Sequence, residues 1–148
     1  WVPASLRGEF VQLDRKQVYV DCYNANPASM QDALEVFCGT TPVDQPRLFV
    51  LGGMEELGTE AARYHRELGR SLQLRSEDRV AMLGDHASEM ETGALEAGID
   101  AEQISVIAEI ESLRTTFDAF EGAVFLKGSR RYHLETLLSE PQPETSHA

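Results

Sequence analysis

Three polar side chains follow the first long apolar segment of the chain, in the stretch VYVDCYNANPASM at positions 18–30. Asp21 comes directly after residues typical of a buried strand, and Asn24 and Asn26 follow it closely. A carboxylate can accept hydrogen bonds from a pair of ribose hydroxyls or orient a cation, and amides can both donate and accept. These residues therefore predict a ligand site. The alternatives are a structural loop aspartate at position 21 and a helix cap at position 26.

The segment FLKGSRRYH, residues 125–133, is a basic element in an acidic chain. Lys127 ends the last predicted strand, and Gly128 allows a ligand to approach the backbone. Ser129 and Arg130 fall at the start of a predicted helix, where free N–H groups and the helix dipole favour an anion. A carboxylate or a phosphate would fit there; the alternative is a solvated basic helix start.

A third segment, LGGMEELG at positions 51–58, carries three glycines and two carboxylates after a predicted strand. It matches neither the GxGxxG fingerprint of dinucleotide-binding proteins nor the GxxxxGK[ST] phosphate loop. A glycine turn before a helix explains it equally well.

Strands and helices alternate regularly between these segments. Apolar runs predict strands at 17–22, 47–53, 79–84, 104–109 and 123–128, and a short strand in residues 7–17 would form a hairpin at Asp14–Lys16. Helical patterns fill the gaps at 27–37, 59–74, 86–98, 110–120 and 130–140. The pattern predicts an α/β fold, with a Rossmann-like, mostly parallel sheet of about six strands and helices on both faces. Ligands of such sheets bind at the carboxyl ends of the strands, where all three segments lie.

Composition limits the classes of function. With 148 residues and 42% hydrophobic composition, residues 1–140 are expected to form one domain, and residues 141–148 a disordered polar tail. A formal net charge of -12 argues against nucleic acid and anionic membrane surfaces as partners. The sequence has no apolar run long enough to span a membrane and no signal-like start, which favours the cytoplasm.

The cysteines and histidines give no metal site. Cys22 and Cys38 have no CxxC spacing, so we interpret them as reduced thiols. The four histidines are far apart and form no ligand pair, so we predict no metal-binding residue.

Three motifs, in order, resemble the C-terminal domain of the Mur ligases. DCYNANPASM resembles the family signature D-x-Y-N-A-N-P-x-S-M, VLGGMEELG resembles L-G-D-M-x-E-L-G, and FLKGSR is similar to V-K-G-S-R. The resemblance covers residues from about 7 to 138 and points to the branch that joins D-alanyl-D-alanine to UDP-N-acetylmuramoyl-tripeptide. Gly53 departs from it, because the family usually carries aspartate there.

The resemblance implies a role for each matched position. Asp21 looks like the aspartate that contacts the nucleotide ribose, in one loop with Asn24 and Asn26, and Arg7 falls where the family directs an arginine at the ATP phosphates. The residues matched to the loops that hold the incoming dipeptide and the rest of the substrate are Lys127, Ser129, Arg130 and Glu56.

The implied reaction is ATP-dependent amide formation in peptidoglycan synthesis. ATP phosphorylates the terminal carboxylate of the tripeptide, Mg²⁺ balances phosphate charge, and the amine of D-alanyl-D-alanine attacks the acyl phosphate. The sequence contains no phosphate-binding loop, and it begins at Trp1. We therefore expect this chain to be part of a longer protein with N-terminal and central domains. We expect it to contribute no catalytic residue and to be inert alone.

Two other interpretations stay open at this point. A receiver-like phosphoacceptor module would use Asp21, Asp85 and Lys127 at neighbouring strand ends. Cys22 and Gly128 argue against it, because receivers usually have a second acid and a proline there. The other interpretation is a binding domain that has lost activity, for which Gly53 is the one indication.

Overall fold

The fold is built on one six-stranded sheet, in a computed structural model that describes residues 7–22 and 25–139. The strands are β1 (Glu9–Leu13), β2 (Lys16–Asp21), β3 (Arg47–Gly52), β4 (Arg79–Leu83), β5 (Ile104–Ile107) and β6 (Gly122–Lys127). They lie in the order β1-β2-β6-β3-β4-β5, and all neighbouring pairs are parallel except the β1–β2 hairpin. The predicted mostly parallel α/β sheet is therefore confirmed.

Helices cover both faces of the sheet, as predicted. The α-helices are α1 (Pro27–Thr40), α2 (Ala61–Ser71), α3 (Ala87–Glu96) and α4 (Arg114–Ala119). The first three connect strands that advance across the sheet in one direction, so right-handed crossovers place them on one face. The connection from β5 returns to β6 in the middle of the sheet, and α4 therefore packs on the other face. Short 3₁₀ turns lie at Gly58–Glu60, Ala101–Gln103, Ile110–Leu113, Arg130–Tyr132 and Leu134–Leu138.

The start of α1 follows its local sequence. Asn26 is the N-cap, and its side-chain oxygen accepts a hydrogen bond from the Ser29 N–H at 2.9 Å. The Ser29 hydroxyl oxygen in turn accepts from the Asn26 N–H at 3.1 Å, which completes a capping box, and Pro27 occupies the first helical position. The loop after β2 is thus fixed where it enters the helix.

Helices α2 and α3 approach each other through two glycines. A Cβ atom on Gly69 would lie 2.0 Å from the Met90 carbonyl oxygen, and one on Gly93 would lie 2.0 Å from the Arg66 carbonyl oxygen. Neither position has room for a side chain, so the backbones of the two helices are in direct contact.

A buried ion pair ties the amino ends of β3 and β4. Arg47 and Asp78 are 4% and 1% exposed. The Arg47 guanidinium donates to Asp78 Oδ2 from Nε at 2.9 Å and from a terminal nitrogen at 2.6 Å, and the Arg47 backbone N–H donates to Oδ1 at 3.0 Å. The Arg75 N–H also donates to Oδ2 at 2.8 Å. This carboxylate organises the edge of the sheet opposite the candidate site.

The prediction of a fifth α-helix at 130–140 is wrong. The chain forms two 3₁₀ turns instead, interrupted at His133, which has a left-handed φ of 53°. The interruption lets Tyr132 turn into the carboxyl edge of the sheet, while Leu134, Leu137 and Leu138 pack on its α4 face. The predicted tail, residues 141–148, lies outside the described residues.

Candidate functional site

The carboxyl edge of the sheet, where β2, β6, β3 and β4 end side by side, brings two of the predicted residues into contact. Asp21 and Lys127 are partners in the β2–β6 register, and Lys127 Nζ lies 3.0 Å from Asp21 Oδ2. The lysine side chain is 1% exposed and the aspartate side chain 19%. The ion pair fixes the carboxylate and leaves part of its surface open to a ligand.

Of the other residues predicted to contact the nucleotide, Asn26 and Arg7 lie in the described part of the chain. The Asn26 side-chain oxygen is engaged in the capping box, so its amide nitrogen is the group that can donate to a ligand. Arg7 is exposed and precedes β1, whose Glu9 pairs with Val20 near the end of β2. Asn24 lies outside the described residues, and its predicted role stays a prediction.

Ser129 and Arg130 follow β6 at the same edge. The Ser129 N–H donates to the Gly53 carbonyl at 3.0 Å, and its hydroxyl oxygen accepts from the Arg131 N–H at 3.3 Å. Arg130 is exposed. The anion site proposed from a helix dipole is not formed, because Arg130 begins a 3₁₀ turn of only three residues. Recognition of an anion here would depend on the side chains.

Glu56 lies at the tip of the loop after β3. It is exposed and has a left-handed φ of 62°. The neighbouring Glu55, which the sequence did not single out, forms an ion pair with Arg131 at 3.4 Å. The structure therefore places Glu56 at the carboxyl edge, in a loop anchored by its neighbour.

Sequence reasoning missed Arg131 and Tyr132. Arg131 also pairs with Asp85 at 3.2 Å, which links the loops after β6, β3 and β4. The Tyr132 ring occupies a recess beside Gly52, Gly53 and Gly84. The available signal was the recurrence of glycine at the ends of two neighbouring predicted strands, 47–53 and 79–84.

His65 is buried and accepts a hydrogen bond from the backbone of the loop after β3. Its side chain is fully buried, its Nδ1–H donates to the Ala61 carbonyl at 2.7 Å, and its Nε2 accepts from the Met54 N–H at 2.9 Å. The ring stacks on His86 with centroids 4.7 Å apart. Burial lowers the pKa of His65, and the neighbouring His86 adds to this effect. The neutral imidazole fits both hydrogen bonds.

We expect the free energy of unfolding to fall as the pH drops from about 7.5 to about 5.5. The folded pKa of His65 lies below its ordinary value, so the unfolded chain takes up a proton first. The stability that depends on neutral His65 is present above the unfolded pKa and is lost as the pH falls through the folded pKa. Urea unfolding at the two pH values measures this loss. His65→Gln should reduce it, and His133→Gln, at a largely exposed histidine, should not; an undiminished loss in His65→Gln would contradict the assignment.

The two thiols are expected to differ sharply in reactivity. Cys22 is buried beside Asp21, and burial raises its pKa to about 12, whereas Cys38 is exposed. At pH 8, a pKa of about 12 leaves roughly one Cys22 thiol in ten thousand ionised. Maleimide should therefore label the folded chain once, at Cys38, and twice in denaturant. Mass spectrometry gives the count, and rapid double labelling without denaturant would show that Cys22 is accessible.

Within residues 7–22 and 25–139, no group of three His, Cys, Asp or Glu side chains is arranged to hold a metal ion. The Mg²⁺ that the resemblance implies thus has no ligand set in this part of the chain. Over the same residues, no helix is both long and apolar enough to cross a membrane.

The structure separates the residues of the signalling alternative. Asp85 follows β4, pairs with Arg131 and has a side chain that is 69% exposed. Since β3 lies between β4 and β6, two strand spacings of about 4.8 Å put Asp85 roughly 10 Å from the strand of Lys127. Asp85 is held by Arg131 in the loop after β4, whereas Asp21 and Lys127 pair at the ends of β2 and β6.

Comparison with known proteins gives the family of this chain. Residues 6–130 match the family described as Mur ligase, glutamate ligase domain, and the chain belongs to this family. A curated relative from Escherichia coli (strain K12), UDP-N-acetylmuramoyl-tripeptide--D-alanyl-D-alanine ligase, is 28% identical over 131 residues, covering 86% of this chain and 27% of the relative. The ligase of the same name from Rickettsia prowazekii is 26% identical over 132 residues, covering 89% of this chain and 29% of the relative.

The fold is also similar to that of a solved structure. A crystal structure of MurF from Acinetobacter baumannii superposes with a TM-score of 0.74 at 28% identity, covering 93% of this chain and 30% of that protein. The chain therefore spans less than a third of the length of each of these relatives.

Proposed function

We propose that this chain is the C-terminal domain of an ATP-dependent ligase that joins D-alanyl-D-alanine to UDP-N-acetylmuramoyl-tripeptide in peptidoglycan synthesis. The observation that carries the proposal is the Asp21–Lys127 ion pair, which joins the first and last family motifs at one sheet edge. The names of the E. coli and R. prowazekii relatives support the choice of substrates.

The reaction has two steps. The terminal carboxylate of the tripeptide attacks the γ-phosphate of ATP, which gives an acyl phosphate and ADP. The deprotonated amine of D-alanyl-D-alanine then attacks the acyl carbon and releases phosphate, which leaves an amide bond. The longer protein would supply the phosphate-binding loop and the Mg²⁺ ligands from its N-terminal and central domains. Because the reaction consumes ATP, the proposal places the protein in the cytoplasm.

Residues of this chain would hold the two reactants at the carboxyl edge. The exposed part of the Asp21 carboxylate would accept hydrogen bonds from the ribose hydroxyls, with Asn24 and Asn26 in the same nucleotide-facing loop and Arg7 directed at the phosphates. Ser129 and Arg130 would bind the carboxylate of the dipeptide, and Glu56 would contribute from the adjacent loop. The burial of Lys127 favours an indirect role, in which its ammonium group fixes Asp21.

The test is ligation by the longer protein, measured as the mass of the product, with variants in this domain. Arg130→Ala should raise the KM for D-alanyl-D-alanine about tenfold or more, because a charge-assisted hydrogen bond contributes about 1.5–3 kcal/mol. Asp21→Asn should instead raise the KM for ATP. Arg15→Ala is the matched control, since this exposed arginine pairs with Glu121 at the opposite edge.

The 148-residue chain alone should ligate nothing. ATP-dependent ligation by this chain, or an unchanged KM for the dipeptide in Arg130→Ala, would contradict the proposal.

A further inference from the structure

Tyr132 fills a space that three glycines create at the ends of β3 and β4. A Cβ atom would lie 3.2 Å from the Tyr132 ring if built on Gly52, 3.1 Å from its hydroxyl oxygen on Gly53, and 2.7 Å from the same oxygen on Gly84. The ring therefore rests directly on bare backbone; a side chain at Gly84 would force it to move, and one at Gly52 or Gly53 would contact it tightly.

Polar contacts hold Tyr132 in place. The Arg131 guanidinium lies over the ring at 5.2 Å from its centroid. Arg131 is itself paired with Glu55 and Asp85, from the loops after β3 and β4. Two consecutive side chains thus fasten the loop after β6 to both neighbouring loops.

We infer that Tyr132 is a positioning residue, which holds Ser129 and Arg130 where the dipeptide carboxylate binds. This inference rests on the proposed function. The Tyr132 N–H donates to the Ser129 carbonyl at 3.1 Å, and the Ser129 N–H donates to the Gly53 carbonyl at 3.0 Å. Ser129, Arg130 and Tyr132 therefore belong to one turn. The packing of the Tyr132 ring against the glycines sets the position of this turn.

The same geometry accounts for Gly53. A side chain at position 53 would start 3.1 Å from the phenol oxygen and 3.5 Å from His65 Nε2. The Cβ of an aspartate there would be in tight contact with the phenol, which would have to shift by a few tenths of an ångström. The absence of a side chain at 53 and the presence of tyrosine at 132 are thus two parts of one arrangement.

The first experiment uses the 148-residue chain and measures amide hydrogen exchange at Ser129. Tyr132→Ala should speed exchange of the Ser129 N–H tenfold or more, and Gly53→Asp should do the same. Tyr132→Phe, which keeps the ring, should stay within about threefold of the parent. The Thr41 N–H, bonded to the Phe37 carbonyl in α1, is the internal control. Tyr64→Ala is the matched variant, because Tyr64 is also half-buried beneath an arginine.

The second experiment measures KM in the longer ligase. Tyr132→Ala should raise the KM for D-alanyl-D-alanine at least tenfold, with the KM for ATP within twofold of the parent. Tyr132→Phe should bring the KM for D-alanyl-D-alanine most of the way back to that of the parent. Unchanged Ser129 exchange in Tyr132→Ala, or equal changes in both KM values, would overturn the inference. A parent protein that does not ligate refutes the proposed function instead, and the exchange experiment alone then decides whether Tyr132 holds the turn.

Discussion

Replacing Asp78 by alanine is expected to lower the free energy of unfolding by about 3–5 kcal/mol. The substitution leaves Arg47, which is 4% exposed, without the carboxylate that accepts two hydrogen bonds from its guanidinium and one from its backbone N–H. The Arg75 N–H loses its acceptor as well. A buried charge without its partner cannot recover the hydration that it gave up on folding, so the cost exceeds that of an ordinary surface change. Urea unfolding of the 148-residue chain measures the loss.

Two further variants test whether the loss of stability in Asp78→Ala comes from the burial of the ion pair. Glu67→Ala removes an exposed ion pair with Arg63 on α2 and should cost far less than Asp78→Ala, because solvent screens this pair. Arg47→Met combined with Asp78→Leu removes both buried charges and should be much less destabilising than Asp78→Ala alone. A cost below about 1 kcal/mol for Asp78→Ala would mean that water reaches the Arg47 guanidinium.

The sequence predicted the elements well because local physics determines them. The strands are continuous apolar runs because both faces of the sheet are covered; β3 and β6 are buried at every position. The start of α1 at Asn26 and Pro27, and the left-handed Gly98 after α3, follow from capping preferences that involve only a few neighbouring residues.

The site could be predicted less completely, because its contacts join distant parts of the chain. Asp21 and Lys127 meet only because β6 inserts between β2 and β3, and no local pattern specifies that order. The sequence predicted that Lys127 ends a strand. It could not predict that Lys127 is buried against Asp21, because this contact depends on the register of the two strands. The resemblance to the Mur ligases supplied the functional assignment that spacing alone left open.

The wrongly predicted helix and the missed tyrosine have one cause. The leucines at 134, 137 and 138 have helical spacing, and all three are buried, so the pattern itself was real. The recess of glycines at the ends of β3 and β4 draws Tyr132 away from that helical path, and the chain turns at His133. Propensity within the segment carries no information about a space formed at the ends of two other strands.

Replacing Gly93 by alanine is expected to lower the free energy of unfolding by about 3 kcal/mol. The added methyl group would lie 2.0 Å from the Arg66 carbonyl oxygen and 3.0 Å from the Arg70 nitrogen, both backbone atoms of α2. Backbone cannot move aside as a flexible side chain can, so α2 and α3 must separate and lose packing around Leu68 and Met90, which are both buried. For a chain of this length the Tm should fall by roughly 6–12 °C.

Gly39→Ala provides the matched control for Gly93→Ala. Gly39 is also helical, in α1, but a Cβ atom there meets nothing within 4 Å. Alanine should raise the stability at this position by about 0.5–1 kcal/mol, because glycine loses more backbone entropy in a helix. Thermal unfolding of both variants thus separates helix propensity from contact between helices. If Gly93→Ala were as stable as Gly39→Ala, α2 and α3 would have to lie farther apart than this structure places them.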